Sequence, residues 1–272
     1  MYEGTLPGTR SPRRKAGRFL GILAFGAACC VFAWGAWNVW AIVSEDMENS
    51  ATVKSMQAYA QLPADPGAGQ VSEDGSLRIS GVINPVDFDG LLAVNPDVVG
   101  WIYIPDTEIN HVIVQGADNE YYLHHGPDKS DNRSGSIFMD ASNNGTFDGM
   151  NTVLFGHRMN NGSMFAGLHA FEDKEFLQSH PYVYIYTPDG GMNTYRIYEV
   201  AEGGNLVSDP AYVKSFDEEA FAAWGSQPVG KYYWFEDPQL TAEDKVLTLS
   251  TCVRDNGAKR FIVRAKLESR ET

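Results

Sequence analysis

Hydrophobic and polar positions alternate in different ways along the chain. Residues 19–43 (FLGILAFGAACCVFAWGAWNVWAIV) hold no charge and one strongly polar side chain, Asn38. As a helix this run would extend roughly 37 Å, enough to cross a bilayer with some tilt. Residues 46–61 are helix-like but weakly amphipathic. PADPGAGQ and SEDGS, within 63–76, read as a flexible linker. From about residue 85 the pattern becomes that of short strands. VVGWIYI (98–104), INHVIVQ (109–115), SGSIFMD (134–140), NTVLFGH (151–157), YVYIYT (182–187), NTYRIYEV (193–200), KVLTLST (245–251) and KRFIVRAKL (259–267) alternate or run apolar between turn signals. Short helices are expected over 86–94, at 119–124, over 163–177 with a break near Glu172-Asp173, and over 217–224 with Asp217 as cap. About eight strands at this spacing predict a closed or nearly closed, mostly antiparallel barrel with helical insertions.

Charge orients the apolar run. Arg10, Arg13, Arg14, Lys15 and Arg18 precede it, and Glu45, Asp46 and Glu48 follow. Trp34, Trp37 and Trp40 gather near its far end, where an aromatic belt would sit. An uncleaved single-pass anchor with its N-terminus inside is therefore expected. A cleaved signal peptide would have a shorter apolar stretch and a small-residue exit. A lipoprotein signal ending at Cys29 would leave a long apolar run where a polar tether belongs. The expected organisation is a cytoplasmic basic tail (1–18), a transmembrane helix (19–43), an extracellular helix and linker (44–84) and a globular domain (85–272). The net charge is −14. An acidic body of this kind argues against nucleic acid as a partner.

The cysteines supply the first chemical lead. Cys29 and Cys30 lie inside the apolar run, which leaves Cys252 alone in the exported part. An unpaired thiol outside the cell is exposed to oxidation, so its presence raises the case for a reactive role, with an inert buried thiol an equal alternative on this fact alone. On a strand, Ser250 and Cys252 share the face opposite Leu247 and Leu249, at the strand's end. A turn signal at Asp255-Asn256-Gly257 follows. A hairpin symmetric about Asn256 would set Cys252 opposite Arg260, within about 5 Å at Cβ. A bulge would break that symmetry and leave Arg260 a solvated surface residue. Arg264 would lie on the order of 13 Å further along. A thiol nucleophile needs a base or cation beside it. Among His111, His124, His125, His157, His169 and His180, only His157 follows a strongly apolar strand and stands at its exit, as Cys252 does.

FGHRMNNGSMF (155–165) and TLSTCVRDNGAKRFIVRAKL (248–267) resemble the two catalytic segments of the sortases, particularly class B. NPDVVGWIYIPDTEINHVIVQG (95–116) and YYLHHGPDKSDNRSGSIFMD (121–140) resemble class B segments as well. The resemblance covers roughly residues 86–267. It implies an eight-stranded sortase-type β-barrel with short helices and an N-terminal helical extension. It assigns Cys252 as nucleophile, His157 as acid/base, Arg260 as the cation that steadies substrate and oxyanion, and Ser250 as a groove residue that assists binding. Residues 208–226 fall where class B enzymes carry a helix shaping the groove. No acidic cluster matches the calcium site of some class A members, and no metal or cofactor is expected.

The implied reaction is transpeptidation at the outer face of a Gram-positive-type membrane. A secreted protein with a C-terminal sorting motif is cleaved through a thioester, then passed to an amine of a peptidoglycan precursor or a pilin lysine. Class B members include haem-uptake housekeepers with NPQTN-like signals and others that build or anchor pili. Two alternatives are a papain-like cell-wall cysteine peptidase and a non-catalytic tethered β-domain. The first would carry its cysteine at a helix N-terminus and ahead of its histidine.

Overall fold

The computed structural model describes residues 13–62, 70–71, 77–78, 84–204, 209–253 and 256–272. The side chains of 13–24, 41–42, 45–46, 48–50, 70–71, 77–78, 252–253 and 256–258 fall outside the description. So does most of the expected linker 63–76. The chain divides into two compact units, Met1–Glu48 and Asn49–Thr272.

Helix α1 (Arg13–Gln57) contains the long apolar run. Phe25, Val31, Phe32, Trp34, Trp37 and Trp40 on it are all exposed. Among the described residues, no helix is long and apolar enough to cross a membrane. Within 19–43, the side chains described are those of 25–40 and 43.

In the second unit, β1 (Gln70–Val71) and β2 (Leu77–Arg78) form a small separate ladder. The other strands build one sheet: β3 (Val98–Tyr103), β4 (Asn110–Val114), β5 (Ile137–Met139), β6 (Asn151–Phe155), β7 (Tyr182–Tyr186), β8 (Met192–Gly203), β9 (Lys231–Phe235), β10 (Val246–Val253) and β11 (Asn256–Glu271). The order is β11-β10-β6-β5-β4-β3-β7-β8, and β8 pairs back to β11, closing an eight-stranded barrel. These are the eight strands expected. β9 is a ninth that the pattern did not announce. It pairs with Glu199–Glu202 of β8, beyond the stretch Met192–Arg196 that β7 occupies. Most neighbours run antiparallel, but β4–β5 and β6–β10 are parallel.

The strands bury one face inside the barrel. Ile102, Ile113, Ile137, Leu154, Val183, Ile185, Leu247, Leu249, Phe261 and Val263 meet there in one core. A second core lies on the outer side of β3, β4 and β7. It takes in Met56 from the end of α1 and Leu91 from α2 (Phe88–Val94). Asp87 caps α2 by accepting from the Gly90 N–H, and Asn95, extended ahead of Pro96, ends it. The helical stretch expected over 163–177 is split as foreseen, into a 3₁₀ turn Phe165–Glu172 and α3 (Lys174–Ser179). Asp173 sits at the break, because its carboxylate accepts from Glu175 and Phe176 N–H and starts a new helix. α4 (Glu218–Gly225) is capped by Asp217, as expected. Phe221 of α4 packs on Tyr198, Leu240 and Val246.

One buried ion pair fastens this outer layer. Arg264 and Glu199 are both fully buried and hydrogen-bonded to each other. Arg264 also donates to the Gln227 carbonyl at 2.7 Å, and Glu199 accepts from the Val229 N–H at 2.6 Å. Burial raises the Glu199 carboxyl above its ordinary range, with Arg264 opposing it.

Candidate active site

The parallel pairing of β6 and β10 is what assembles the site. Ser250 is level with Phe155 in that ladder. His157 and Cys252 each follow two residues later, so both strand exits emerge side by side. The Gly156 N–H donates to the Ser250 carbonyl at 3.2 Å, carrying the alignment past the last paired residues. Gly156 is there for space: a Cβ would sit 2.4 Å from Ile137 Cδ1 and 2.8 Å from the Phe165 ring.

His157 is half-buried. Its Nε2 lies 2.9 Å from the Leu123 carbonyl oxygen. A carbonyl only accepts, so Nε2 carries the hydrogen and Nδ1 is the nitrogen that can take or release a proton. The Phe165 N–H donates to the His157 carbonyl at 3.0 Å, fixing the backbone behind the ring.

Cys252 lies in β10 with Arg260 of β11 as its Cα partner. Arg260 is level with Gly203 of β8 on its other side. The expected register therefore holds. The route to it differs: the register shifts between Cys252 and Val253, and Val253 pairs with Asn256. Residues 257–259 are the extra ones of a bulge on the β11 side, so the hairpin is not symmetric about Asn256. Asp255 of the expected turn signal lies outside the described residues.

Ser250, the remaining residue expected at the site, is buried, and its Oγ shares a 2.8 Å hydrogen bond with the Tyr212 hydroxyl. His157, Ser250 and Arg260 line one cavity of about 540 Å³. Much of its lining is apolar, with Leu123, Phe138, Phe155 and Tyr212. Asp140 and Lys214 also line it and form a 2.9 Å ion pair. Burial disfavours the Asp140 anion. The Ser142 and Lys214 donors outweigh this and hold its carboxyl below the usual range.

The remaining histidines do not line this cavity. His111 is buried among β3, β4 and α1, and its Nε2 has no hydrogen-bond partner. His125 stacks on Tyr121, His169 bonds Glu172 and His180 bonds Asp106. Sequence reasoning did not single out Tyr212, the Leu123 carbonyl, Asn151 or the Asp140–Lys214 pair. Of these, only Asn151 left a trace, as a polar residue opening a strongly apolar strand.

Among the described residues, no group of three or more histidine, cysteine or acidic side chains could hold a metal ion. The placement of Cys252 in a strand differs from the helix N-terminus that a papain-like peptidase requires.

The family model described as Sortase domain matches residues 102–268. A curated "Sortase B" from Listeria monocytogenes is 30% identical over 241 residues, 87% of this chain and 92% of that protein. The crystal structure of sortase B from Bacillus anthracis, in complex with AAEK1, superposes with a TM-score of 0.65. It is 30% identical and covers 83% of this chain and 98% of that one. A Streptococcus pyogenes class B sortase involved in pilus biogenesis has a TM-score of 0.59 and 29% identity. It covers 67% of this chain and 98% of that one.

Proposed function

The chain belongs to the sortase family and is a class B-type transpeptidase, and we propose that Cys252, His157 and Arg260 carry its reaction. The observation that carries this reading is the alignment of two strand exits. Parallel β6 and β10 deliver His157 and Cys252 from the same level, and Arg260 faces Cys252 across the next ladder.

In the first half-reaction, the Cys252 thiolate attacks the carbonyl carbon of a peptide bond in a sorting motif. The developing oxyanion is stabilised by Arg260, whose planar guanidinium offers several N–H donors to one oxygen. His157, through Nδ1, protonates the leaving amine as the C–N bond breaks, and a thioester remains. In the second half, an incoming amine attacks the thioester carbonyl. His157 accepts its proton, the C–S bond breaks, and the thiolate is restored. The apolar lining of the cavity suits the extended body of the motif, and Ser250 helps to shape the wall against it. The acceptor is an amine of a peptidoglycan precursor or a pilin lysine.

Residues 19–43 hold the enzyme in the membrane, with its catalytic domain on the outer face. The uncharged run, the basic residues before it and the exposed aromatic side chains along α1 support this placement.

The test is ligation. Full-length protein in detergent, given a peptide with an NPQTN-like core and triglycine, should form a peptide–triglycine product that is absent with Cys252→Ala. Cleavage without ligation at saturating amine would favour a hydrolase instead.

A further inference from the structure

Residues 209–214 wall one side of the cavity, and their attachment to the barrel sets its shape. The geometry points to Asn151 as the positioning residue that holds this wall against the strand bearing Cys252. Its catalytic significance rests on the reading proposed above, whereas the clamp itself does not.

Asn151 is the first residue of β6 and is fully buried. Its Nδ2 donates to two backbone carbonyls of the wall, Ala211 at 2.9 Å and Val213 at 2.8 Å. Its Oδ1 accepts from the Thr248 hydroxyl of β10 at 2.7 Å. Two donors and an acceptor on one short planar group are what a side-chain amide offers. The two carbonyls can face only the nitrogen, so the orientation of the amide is fixed by its partners. An aspartate would set oxygen against oxygen, and an apolar residue would leave two buried carbonyls without donors.

The two carbonyls lie on either side of Tyr212. Holding both fixes the backbone of the residue between them, and its hydroxyl then meets Ser250 Oγ at 2.8 Å. A closed circuit results. It leaves β10 at Thr248, crosses Asn151 to the wall, and returns through Tyr212 to Ser250. Thr248, Ser250 and Cys252 follow one another at alternate positions of the same strand, so the circuit closes two residues before the nucleophile. The wall has other ties: Asp209 to the Gly204 and Ala211 N–H groups, Trp224 Nε1 to the Pro210 carbonyl, and Lys214 to Asp140. None of these reaches β10. The links through Asn151 and Tyr212 do, so they fix the distance from the wall to the cysteine strand. The groove is thereby set before substrate arrives.

Two readouts on the full-length protein test this. Hydrogen exchange followed by mass spectrometry reports on 209–216 against the rest of the barrel. Alkylation of Cys252, read on its own peptide, compares small iodoacetamide with bulky fluorescein maleimide. In Asn151→Asp, exchange in the wall should rise about tenfold, the scale of an unmade buried hydrogen bond. The β3–β4 and β7–β8 ladders should keep wild-type protection. The maleimide should gain on iodoacetamide by a similar factor. Thr248→Val should shift both readouts in the same direction by less, and Thr248→Ser should restore wild-type values. This second pair decides the matter if Asn151→Asp does not fold. Unchanged protection of the wall, or exchange rising evenly over the whole barrel, would overturn the proposal. A wild-type Cys252 inert to iodoacetamide would instead defeat the catalytic reading, while the exchange data still judge the clamp.

Discussion

Cys252 and Arg260 stand opposite each other in the β10–β11 ladder, even though the hairpin that joins them bulges on one side only. Arg264, four residues further along the same strand, has a different fate, fully buried against Glu199. The two arginines should therefore separate cleanly on mutation. Arg260→Ala should abolish most turnover in a ligation assay while the protein melts within a degree or two of wild type. Arg264→Ala leaves Glu199 buried without its cation and should cost about 3–5 kcal/mol of stability by denaturant titration. Equal loss of stability in both variants would contradict this division.

A thioester should be trapped only where nucleophile and acid/base are both present. With Cys252→Ala, mass spectrometry should find no acyl-enzyme. With His157→Gln, the thiol remains but lacks its proton carrier, and turnover should fall by about two to four orders of magnitude. Wild-type rates in His157→Gln would remove it from the mechanism.

Acid should loosen the barrel through His111. Burial strips the imidazolium of water, and a bond to the Glu108 backbone offsets this only partly, so its pKa falls from 6.5 to about 4. The unfolded chain thus binds this proton below about pH 6.5, the folded chain only below about 4. The stability it confers is complete above the upper value and drains as pH falls to the lower, by roughly 3 kcal/mol. Melting curves at pH 7.5 and 4.5 should show a smaller acid loss in His111→Leu than in wild type. An identical loss would assign the effect to other groups.

Removal of residues 1–43 should move the protein from the membrane pellet to the aqueous fraction and leave Cys252 alkylation unchanged. Retention of the truncated protein in the pellet would argue for a second membrane contact.

Much of the barrel was legible because its strands alternate between two environments. Leu247 and Leu249 declared the inner face of β10, and Phe261 and Val263 that of β11. β9 was not legible. KYYWF shows no alternation of polar and apolar positions, and Lys231, Tyr232 and Tyr233 remain exposed. Its place follows from an edge of β8 left open by β7, a tertiary circumstance. The register of Cys252 with Arg260 was read correctly from a symmetry the hairpin does not have. Pairing along β11 fixes that register, whatever the turn does. Tyr212, Asn151 and the Leu123 carbonyl stayed hidden for another reason. Each acts through a partner 34 to 62 residues away, and only closure of the barrel brings those partners within reach.

The pairing of β6 with β10 also divides the protein's heredity. Outside this ladder, the chain between β8 and β10 includes the wall of the groove, α4 and β9. Length and composition there can drift without disturbing the ladder that levels His157 with Cys252. Preference for one sorting motif over another can therefore diversify in that segment while the chemistry is inherited intact, and chimaeras exchanged between the end of β8 and the start of β10 should keep their reactivity and change their clientele.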